Sequence, residues 1–239
     1  PVSYSGPYIK GICAIDILKI PFINSGLLDY KIQIVAAGRV GAPAGIIKSI
    51  DGGNSFQSME MNANCSFILD VKFFNANEGI ICAASNDDLE KTNALILMTK
   101  DGGKTWQNKY QSKRNYELTW KCAFPSRNTG YVTIQSYNPD SLINLRYIAK
   151  TTDGGETWNE ILLNNDFSCR EFGVGFVNDN YGWVGGMSNS YETIDGGKNW
   201  RPIKLGKAVN KFRILKNKNK FTAYSIGTEV YKNNGLIPD

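Results

Sequence analysis

Histidine is absent from this 239-residue chain. Its absence removes the commonest general base, the commonest metal ligand and every Ser-His or Cys-His nucleophile pair. Cysteine is sparse, and its five copies are an odd number without a CxxC pair. That pattern argues against a zinc site and against a fully paired disulfide framework. We therefore expect buried thiols with one disulfide bridge or none, no metal and no cofactor.

Long apolar runs are lacking too. No stretch reaches the length that a helix needs to cross a bilayer, so no transmembrane segment is expected. No signal peptide is recognisable, but the sequence begins at Pro1 without a Met. This start predicts a trimmed N-terminus and export to a periplasmic, envelope-associated or extracellular location.

Acidic residues are missing from one stretch. Lys204 to Lys220 holds seven basic residues and no acid, although the whole chain carries a net charge of only +5. Such a run is most often a solvated strand and loop, but it also suits an acidic partner or an anionic surface. The run is confined to one region and no nucleic-acid motif accompanies it, so nucleic acid is not an expected partner.

The chain does contain a phrase that occurs four times, Ser/Thr-x-Asp-Gly-Gly-x-Ser/Thr/Asn-Trp/Phe. Asp-Gly favours a tight turn, because glycine readily takes positive φ and aspartate hydrogen-bonds nearby amides. Each copy follows an apolar run and therefore predicts a hairpin between antiparallel strands. We predict that the aspartates stabilise the turns and that the aromatic side chains fill the apolar space between neighbouring repeat units. These structural residues are Asp51, Asp101, Asp153, Asp195, Phe56, Trp106, Trp158 and Trp200.

The spacing of the phrase predicts the architecture. Successive aspartates lie 50, 52 and 42 residues apart, a period typical of propeller blades. The sequence therefore predicts an all-β chain, with residues 1–239 forming a single β-propeller of five four-stranded blades. The predicted blades cover residues 10–60, 61–110, 111–162, 163–205 and 206–239. The last blade is short of a strand, so residues 2–9 are predicted to complete it and close the ring.

The repeats also resemble a known family. The phrase resembles the Asp-box of bacterial neuraminidase repeat (BNR) proteins. The run Gly182 to Gly186, followed by Thr193-x-Asp-Gly-Gly-x-x-Trp200, is most similar to the photosystem II stability/assembly factor-like family of bacterial propellers. That resemblance implies a propeller that assists assembly of a complex. Sialidases share the Asp-box, which implies a six-bladed enzyme with an arginine triad, but this chain is short for six blades.

The candidate binding face is the one away from the repeated turns. Strands alternate in direction, so the repeated turns share one end and the variable loops between second and third strands lie at the other. Variable loops on a rigid scaffold often carry function, although many are ordinary solvated loops. The candidate binding residues there are Arg39, Asp87, Asp88, Arg114, Tyr116, Tyr137 and Asp140.

Two functions stay open at this point. The first is a non-catalytic scaffold for protein–protein interaction or complex assembly. The alternative is a carbohydrate-active propeller, either a sialidase-like glycoside hydrolase or a glycan-binding module. Hydrolysis needs two carboxyl groups about 5 to 10 Å apart, one with a raised pKa, and no acid in the sequence stands out as buried. A monomeric, non-enzymatic protein with a protein or glycan partner is therefore favoured.

Overall fold

The computed structural model describes residues 2–38 and 43–238. These residues contain 19 β-strands and no helix. The strands form five successive antiparallel sheets, the blades of a five-bladed β-propeller, so the predicted fold class is confirmed. The chain divides into two compact units, Pro1–Lys113 with two sheets and Arg114–Asp239 with three. Among the described residues, no helix is long and apolar enough to span a membrane.

The first unit contains two four-stranded sheets with the strands in sequence order. Apolar residues on both faces build its centre, since every residue of the two middle strands of the second sheet is buried. The first sheet is formed by β1 (Ile12–Asn24), β2 (Leu27–Gly38), β3 (Gly45–Ser49) and β4 (Gln57–Glu60). The second is formed by β5 (Phe67–Phe73), β6 (Gly79–Ala84), β7 (Ala94–Thr99) and β8 (Gln107–Gln111).

The second unit contains three sheets, the last with three strands. The third sheet is formed by β9 (Glu117–Ala123), β10 (Gly130–Ser136), β11 (Arg146–Thr151) and β12 (Asn159–Asn164). The fourth is formed by β13 (Val174–Phe176), β14 (Gly182–Val184), β15 (Ser190–Thr193) and β16 (Arg201–Ile203). The fifth is formed by β17 (Lys211–Asn217), β18 (Lys220–Ile226) and β19 (Val230–Leu236). The single domain over residues 1–239 and its blade ranges stay predictions.

The repeated Asp-Gly-Gly turns and the loops between second and third strands lie at opposite ends of the sheets. In the second sheet the amide of Gly102, in an Asp-Gly-Gly turn, donates to the carbonyl of Asn77 in the turn between β5 and β6. Gly154 and Asn128 make the same bond in the third sheet. At the opposite end, the amide of Tyr137 donates to the carbonyl of Tyr116. The loops between second and third strands therefore lie away from the repeated turns, as expected.

The prediction for the N-terminal strand is wrong. Residues 2–9 do not complete the fifth sheet; they lie along the outer edge of the first sheet, where Ser5 forms a parallel bridge with Gln57. Ile9 is buried there, and its side chain lies against Gly45. The first sheet offers this segment both backbone partners and an apolar pocket, which fixes its position.

The stretch near residue 233 contains a partial copy of the repeated phrase, but it does not form a hairpin turn. β19 pairs with β18 from Val230 to Leu236 without interruption, so Asn233, Asn234 and Gly235 lie in a straight strand rather than a turn. This copy lacks the aspartate whose carboxylate organises the other four turns. All five cysteines are free thiols.

Candidate functional site

The Asp-Gly-Gly turns share one hydrogen-bond pattern. In the copy at Asp153, the carboxylate accepts bonds from the Thr157 hydroxyl at 2.6 Å, the Thr157 amide at 3.0 Å and the Thr151 hydroxyl at 2.8 Å. Gly154 and Gly155 both have positive φ, which only glycine adopts freely. The copies at Asp51, Asp101 and Asp195 make equivalent bonds. Each of these carboxylates is held inside its own turn.

Those bonds change the acidity of the carboxylates. Hydrogen bonds from the Thr157 hydroxyl and amide lower the pKa of Asp153 to about 2. The pKa values of Asp101 and Asp195 are lowered to about 2 by the corresponding donors, and that of Asp51 is lowered as well. A carboxylate this firmly ionised and internally bonded is a poor general acid. This geometry supports the structural role that we assigned to these residues.

The aromatic residues of the phrase occupy equivalent places too. The Trp106 indole donates to the carbonyl of Gly103 at 3.0 Å and packs edge-on against Phe73. Trp158 with Phe124, and Trp200 with Phe176, repeat the edge-on packing. Each tryptophan therefore ties its turn to an aromatic residue at the end of the sheet's first strand.

Two of the three predicted binding residues of the first unit lie in one loop. Asp87 and Asp88 lie between β6 and β7. Asp88 pairs with Lys91 at 2.9 Å, and this contact lowers the pKa of Asp88. Arg39, the third candidate in this unit, lies outside the described residues. Asp87 and Asp88 therefore form an acidic turn at the protein surface.

Three of the four predicted residues of the second unit lie where two connections meet. Tyr116 takes a positive φ of 63°, which is uncommon for a residue with a side chain, and accepts the backbone bond from Tyr137. The Arg170 guanidinium lies 5.0 Å from the centre of the Tyr137 ring. Asp140 is exposed further along the same loop, where it accepts a bond from the Leu142 amide. We call Arg114, Tyr116, Tyr137, Arg170 and Glu171 the loop cluster.

Arg114 is held by carboxylates of its own unit. Its Nε lies 2.6 Å from Glu117, and its two terminal nitrogens bond both oxygens of Glu160 at 2.9 and 3.1 Å. The guanidinium also lies 4.5 Å from the centre of the Tyr147 ring. Half-burial opposes its charge, but these carboxylates hold the Arg114 pKa above its usual value. Its charge is therefore largely balanced within the protein rather than presented to a ligand.

Glu171 is the most unusual group in the loop cluster. Its side chain is 0% exposed, and neither carboxylate oxygen has a hydrogen-bond partner among the described residues. Nearby, the Gln135 amide donates to the backbone carbonyl of Glu171 at 3.1 Å and leaves its own side-chain oxygen unpartnered. Burial raises the pKa of Glu171 well above its usual range; the charge of Arg146 opposes the shift and that of Glu117 adds to it.

Sequence reasoning did not single out Glu171. It follows an exposed arginine in a connection, and Gln135, whose side chain bonds its backbone carbonyl, is 36 residues earlier. No local pattern carries that information. Among the described residues, no group of three or more Cys, Asp or Glu side chains is arranged to hold a metal ion.

An exposed apolar face lies on the first sheet. β1 and β2 extend beyond β3 as a two-stranded arm, residues 18–33, closed by Ser25 and Gly26 with positive φ. One side of β1 packs inward, where Asp16 accepts the Phe73 amide at 2.7 Å. The other side presents apolar residues to solvent, which we call the isoleucine face. It comprises the exposed residues Ile15, Ile17, Pro21, Ile23, Leu28 and Tyr30 and the half-buried Ile32 and Ile34, and Lys19 lies on the same side.

Comparisons with known proteins bear on the fold. No family model matches the sequence, and no curated protein matches it. An ancestral GH74 enzyme aligns with a TM-score of 0.61 and 18% identity, covering 93% of this chain and 30% of that one. The GH74 xyloglucanase from Xanthomonas campestris aligns at 0.58 and 13%, covering 84% of this chain and 34% of that one.

A third structure, YCF48 bound to a D1 peptide, aligns with a TM-score of 0.45 and 19% identity, covering 67% of this chain and 51% of that one. That score is too low to support an argument. The chain therefore spans about half of YCF48 and about a third of the GH74 enzymes. At such identities the likeness to the GH74 enzymes shows the fold alone.

Proposed function

We propose that this chain is a non-catalytic propeller scaffold that binds another protein or assists assembly of a complex. This is the role implied by its resemblance to the Asp-box, photosystem II stability/assembly factor-like proteins. The observation that carries the proposal is the isoleucine face. Ile17 is 60% exposed and Leu28 is 61% exposed, and the pairing of β3 with β2 stops at Ile34, before the arm.

The physical argument rests on what water does to such a surface. Contiguous exposed apolar residues cost free energy, and soluble proteins keep large patches of this kind mainly where a partner covers them. An isolated two-stranded ribbon is also only marginally stable alone. Lys19 and Lys31 lie over the rings of Tyr30 and Phe22, so their stems shield part of the arm while their charges stay in water. A protein surface would complete the burial.

Site-specific cross-linking tests this proposal. A photo-reactive residue replacing Ile17 should capture a defined protein from extracts of the source cells, and adding Leu28→Lys to that variant should abolish capture. The matched control is the same residue at Ile194, which is similarly exposed but lies beside an Asp-Gly-Gly turn. Equal capture at both positions, or capture that Leu28→Lys leaves unchanged, would contradict the proposal.

Glycoside hydrolysis is the second candidate, and the loop cluster favours it. Glu171 has a raised pKa, whereas Glu117 is held beside Arg114 and is only 3% exposed. Two carboxyl groups that flank the scissile bond, one of them with a raised pKa, are the requirement for acid and base roles in glycosidases. In this reading Glu171 donates a proton to the leaving-group oxygen, and Glu117 acts as base or nucleophile.

A panel of aryl glycosides and a glycan array separate the two candidates. Turnover that Glu171→Gln abolishes and Glu90→Gln preserves would establish the enzyme, since Glu90 is an exposed loop residue. Array binding without turnover would indicate a glycan-binding module. No signal in either assay, together with a cross-linked protein at position 17, would leave the scaffold as the function.

A further inference from the structure

A buried arginine holds two connections of the second unit against each other. They are residues 137–145, between β10 and β11, and residues 165–170, in the connection between β12 and β13. The Arg146 guanidinium donates to the carbonyl of Ile143 at 2.9 Å in the first and to that of Phe167 at 2.8 Å in the second. These bonds fix the two connections in one arrangement, which we call the two-loop platform.

Each connection is also ordered by its own hydrogen bonds. In the first, the Asp140 carboxylate accepts the Leu142 amide at 2.9 Å, and the Ile143 amide donates to the carbonyl of Asp140 at 3.1 Å. In the second, the Asp166 carboxylate accepts the amide and the hydroxyl of Ser168 at 2.9 and 2.7 Å. A surface that is already ordered loses little conformational entropy when it binds a partner.

The two-loop platform presents apolar side chains to solvent. Leu142 is 86% exposed, and Ile143, Leu145 and Phe167 are exposed as well. Because Arg146 bonds the carbonyls of the last three, these residues surround a single guanidinium. Clustered exposed apolar side chains are typical of surfaces that a partner covers.

Arg170 is a cation on this platform that lacks a hydrogen-bond acceptor. The second unit has six arginines, and five of them donate to protein acceptors, namely Arg114, Arg127, Arg146, Arg201 and Arg213. Arg170 donates to no residue within 2–38 or 43–238, and its guanidinium is positioned over the Tyr137 ring, 5.0 Å from the ring centre. A guanidinium held in this way can bind a carboxylate through two parallel hydrogen bonds.

The other charges nearby limit what Arg170 can bind. Asp140 and Asp166 are the acids of the two-loop platform, and each carboxylate accepts bonds within its own turn. Glu171 and Arg146 lie next to the platform, but both side chains are buried. Two exposed or half-exposed carboxylates repel a strongly acidic chain, whereas one guanidinium without an acceptor attracts a single carboxylate. The charge pattern therefore favours a segment with one acidic side chain among apolar ones.

We propose that the two-loop platform binds a short segment of a protein partner that carries one acidic side chain between apolar ones. Arg170 binds the carboxylate, and Leu142, Ile143, Leu145 and Phe167 cover the apolar side chains. The inference rests on the proposed function for the class of partner, but it uses none of the residues of the isoleucine face.

The probe is an array of immobilised seven-residue peptides, overlaid with the fluorescently labelled full chain. Each peptide has blocked ends, serine at both terminal positions, and leucine, isoleucine or phenylalanine at the two positions on each side of the centre. The central residue is glutamate, glutamine or lysine in three otherwise identical sets. We expect binding to the glutamate set alone, and this binding should weaken as salt increases.

Arg170→Gln is the decisive variant, because this side chain is exposed and its loss leaves the bonds of Arg146 in place. We expect at least tenfold weaker binding of the best glutamate peptide by fluorescence anisotropy, equivalent to about 1.4 kcal/mol. Lys198→Gln, which removes an exposed charge beside an Asp-Gly-Gly turn, is the matched control. Leu142→Ser should also weaken binding, whereas Ile194→Ser, an exposed change beside that turn, should not.

Other outcomes overturn the proposal. Equal binding of the three peptide sets, no binding to any peptide, or binding that Arg170→Gln leaves unchanged would show that the platform does not recognise such a segment. Flotation with phosphatidylcholine vesicles that Leu142→Ser abolishes would make a lipid surface the occupant, and a dimer that this variant dissociates would make it a second copy. Leu28→Lys should leave peptide binding unchanged, so failure at the isoleucine face and failure at the platform are separate results.

Discussion

The amide of Ser58 donates to the carbonyl of Ser5 at 2.8 Å, and the amide of Ser5 donates to the carbonyl of Phe56 at 3.1 Å. The Ser58 hydroxyl adds a bond to the carbonyl of Pro7 at 2.6 Å. Gly6 takes a positive φ of 102° beside Ser58, where any larger side chain would clash. The N-terminal segment therefore pairs with the edge strand β4 of the first sheet in a defined position.

Ser58→Ala should destabilise the protein by about 1 kcal/mol, because the carbonyl of Pro7 loses the hydrogen bond that it accepts from the Ser58 hydroxyl. Urea unfolding monitored by tryptophan fluorescence measures the change. Ser3→Ala, an exposed serine of the same segment, is the matched control and should have no effect. An unchanged unfolding free energy for Ser58→Ala would mean that the segment contributes nothing to the stability of the first sheet.

Acid should destabilise the Asp-Gly-Gly turns. The Asp153 pKa is about 2 in the folded chain and about 3.9 when unfolded. Its stabilisation is therefore complete above about pH 4 and is lost as pH falls toward 2. Asp153→Asn should lower the melting temperature at pH 7 and bring it closer to wild type at pH 2.

Thr157→Val tests the same turn with a smaller change than Asp153→Asn. It removes the hydroxyl bond to the Asp153 carboxylate at 2.6 Å and leaves the bond from the Thr157 amide in place. Its acid transition should begin at a higher pH than that of wild type. Parallel melting curves for wild type and Asp153→Asn across pH 7 to 2 would show that this carboxylate does not stabilise the turn.

A lysine links neighbouring sheets in each unit. Lys150 donates to the carbonyl of Gly196 at 2.7 Å and lies 5.3 Å from the centre of the Tyr131 ring. Lys150→Met keeps the apolar stem but removes a charged donor, so we expect a loss of about 1 to 2 kcal/mol. Lys198→Met, at an exposed site, is the control. Equal unfolding free energies for the two variants would refute the link.

The sequence predicted those parts of the fold whose physics is local. Aspartate, two glycines and a serine, threonine or asparagine four positions after the aspartate suffice to build each turn, so the sequence alone predicts the four repeated turns. The N-terminal segment was different. This segment pairs with an edge strand, and both β4 and β19 are edge strands of their sheets. It pairs with β4 because Ile9 packs against Gly45, a residue far from Ile9 in sequence.

The candidate site was less predictable for a related reason. Arg114, Tyr116 and Tyr137 follow from loop placement alone. Glu171 becomes unusual only because distant segments exclude water from it, and burial of a single charged residue leaves no periodic signature. Similarly, β1 is apolar on both sides, a pattern typical of strands buried on both faces, yet Ile15 and Ile17 are exposed.

Glu171→Gln should stabilise the protein at neutral pH. Burial raises the folded pKa of Glu171 above its unfolded value of about 4.3. The folded chain therefore holds this proton more tightly, and wild-type stability declines as pH rises above about 4 toward the folded pKa. Glutamine cannot ionise, so the advantage of the variant should be absent at pH 4 and grow toward pH 7.

Melting temperatures at pH 4, 5.5 and 7 measure that difference, with Glu90→Gln as the exposed control. A pH-independent difference, or a less stable variant at pH 7, would show that Glu171 is accommodated as an ion. If the variant is more stable and also loses activity on a glycoside, the unfavourable burial is the cost of a working acid. If it is more stable and every binding activity persists, the buried acid has no role in the function of the scaffold.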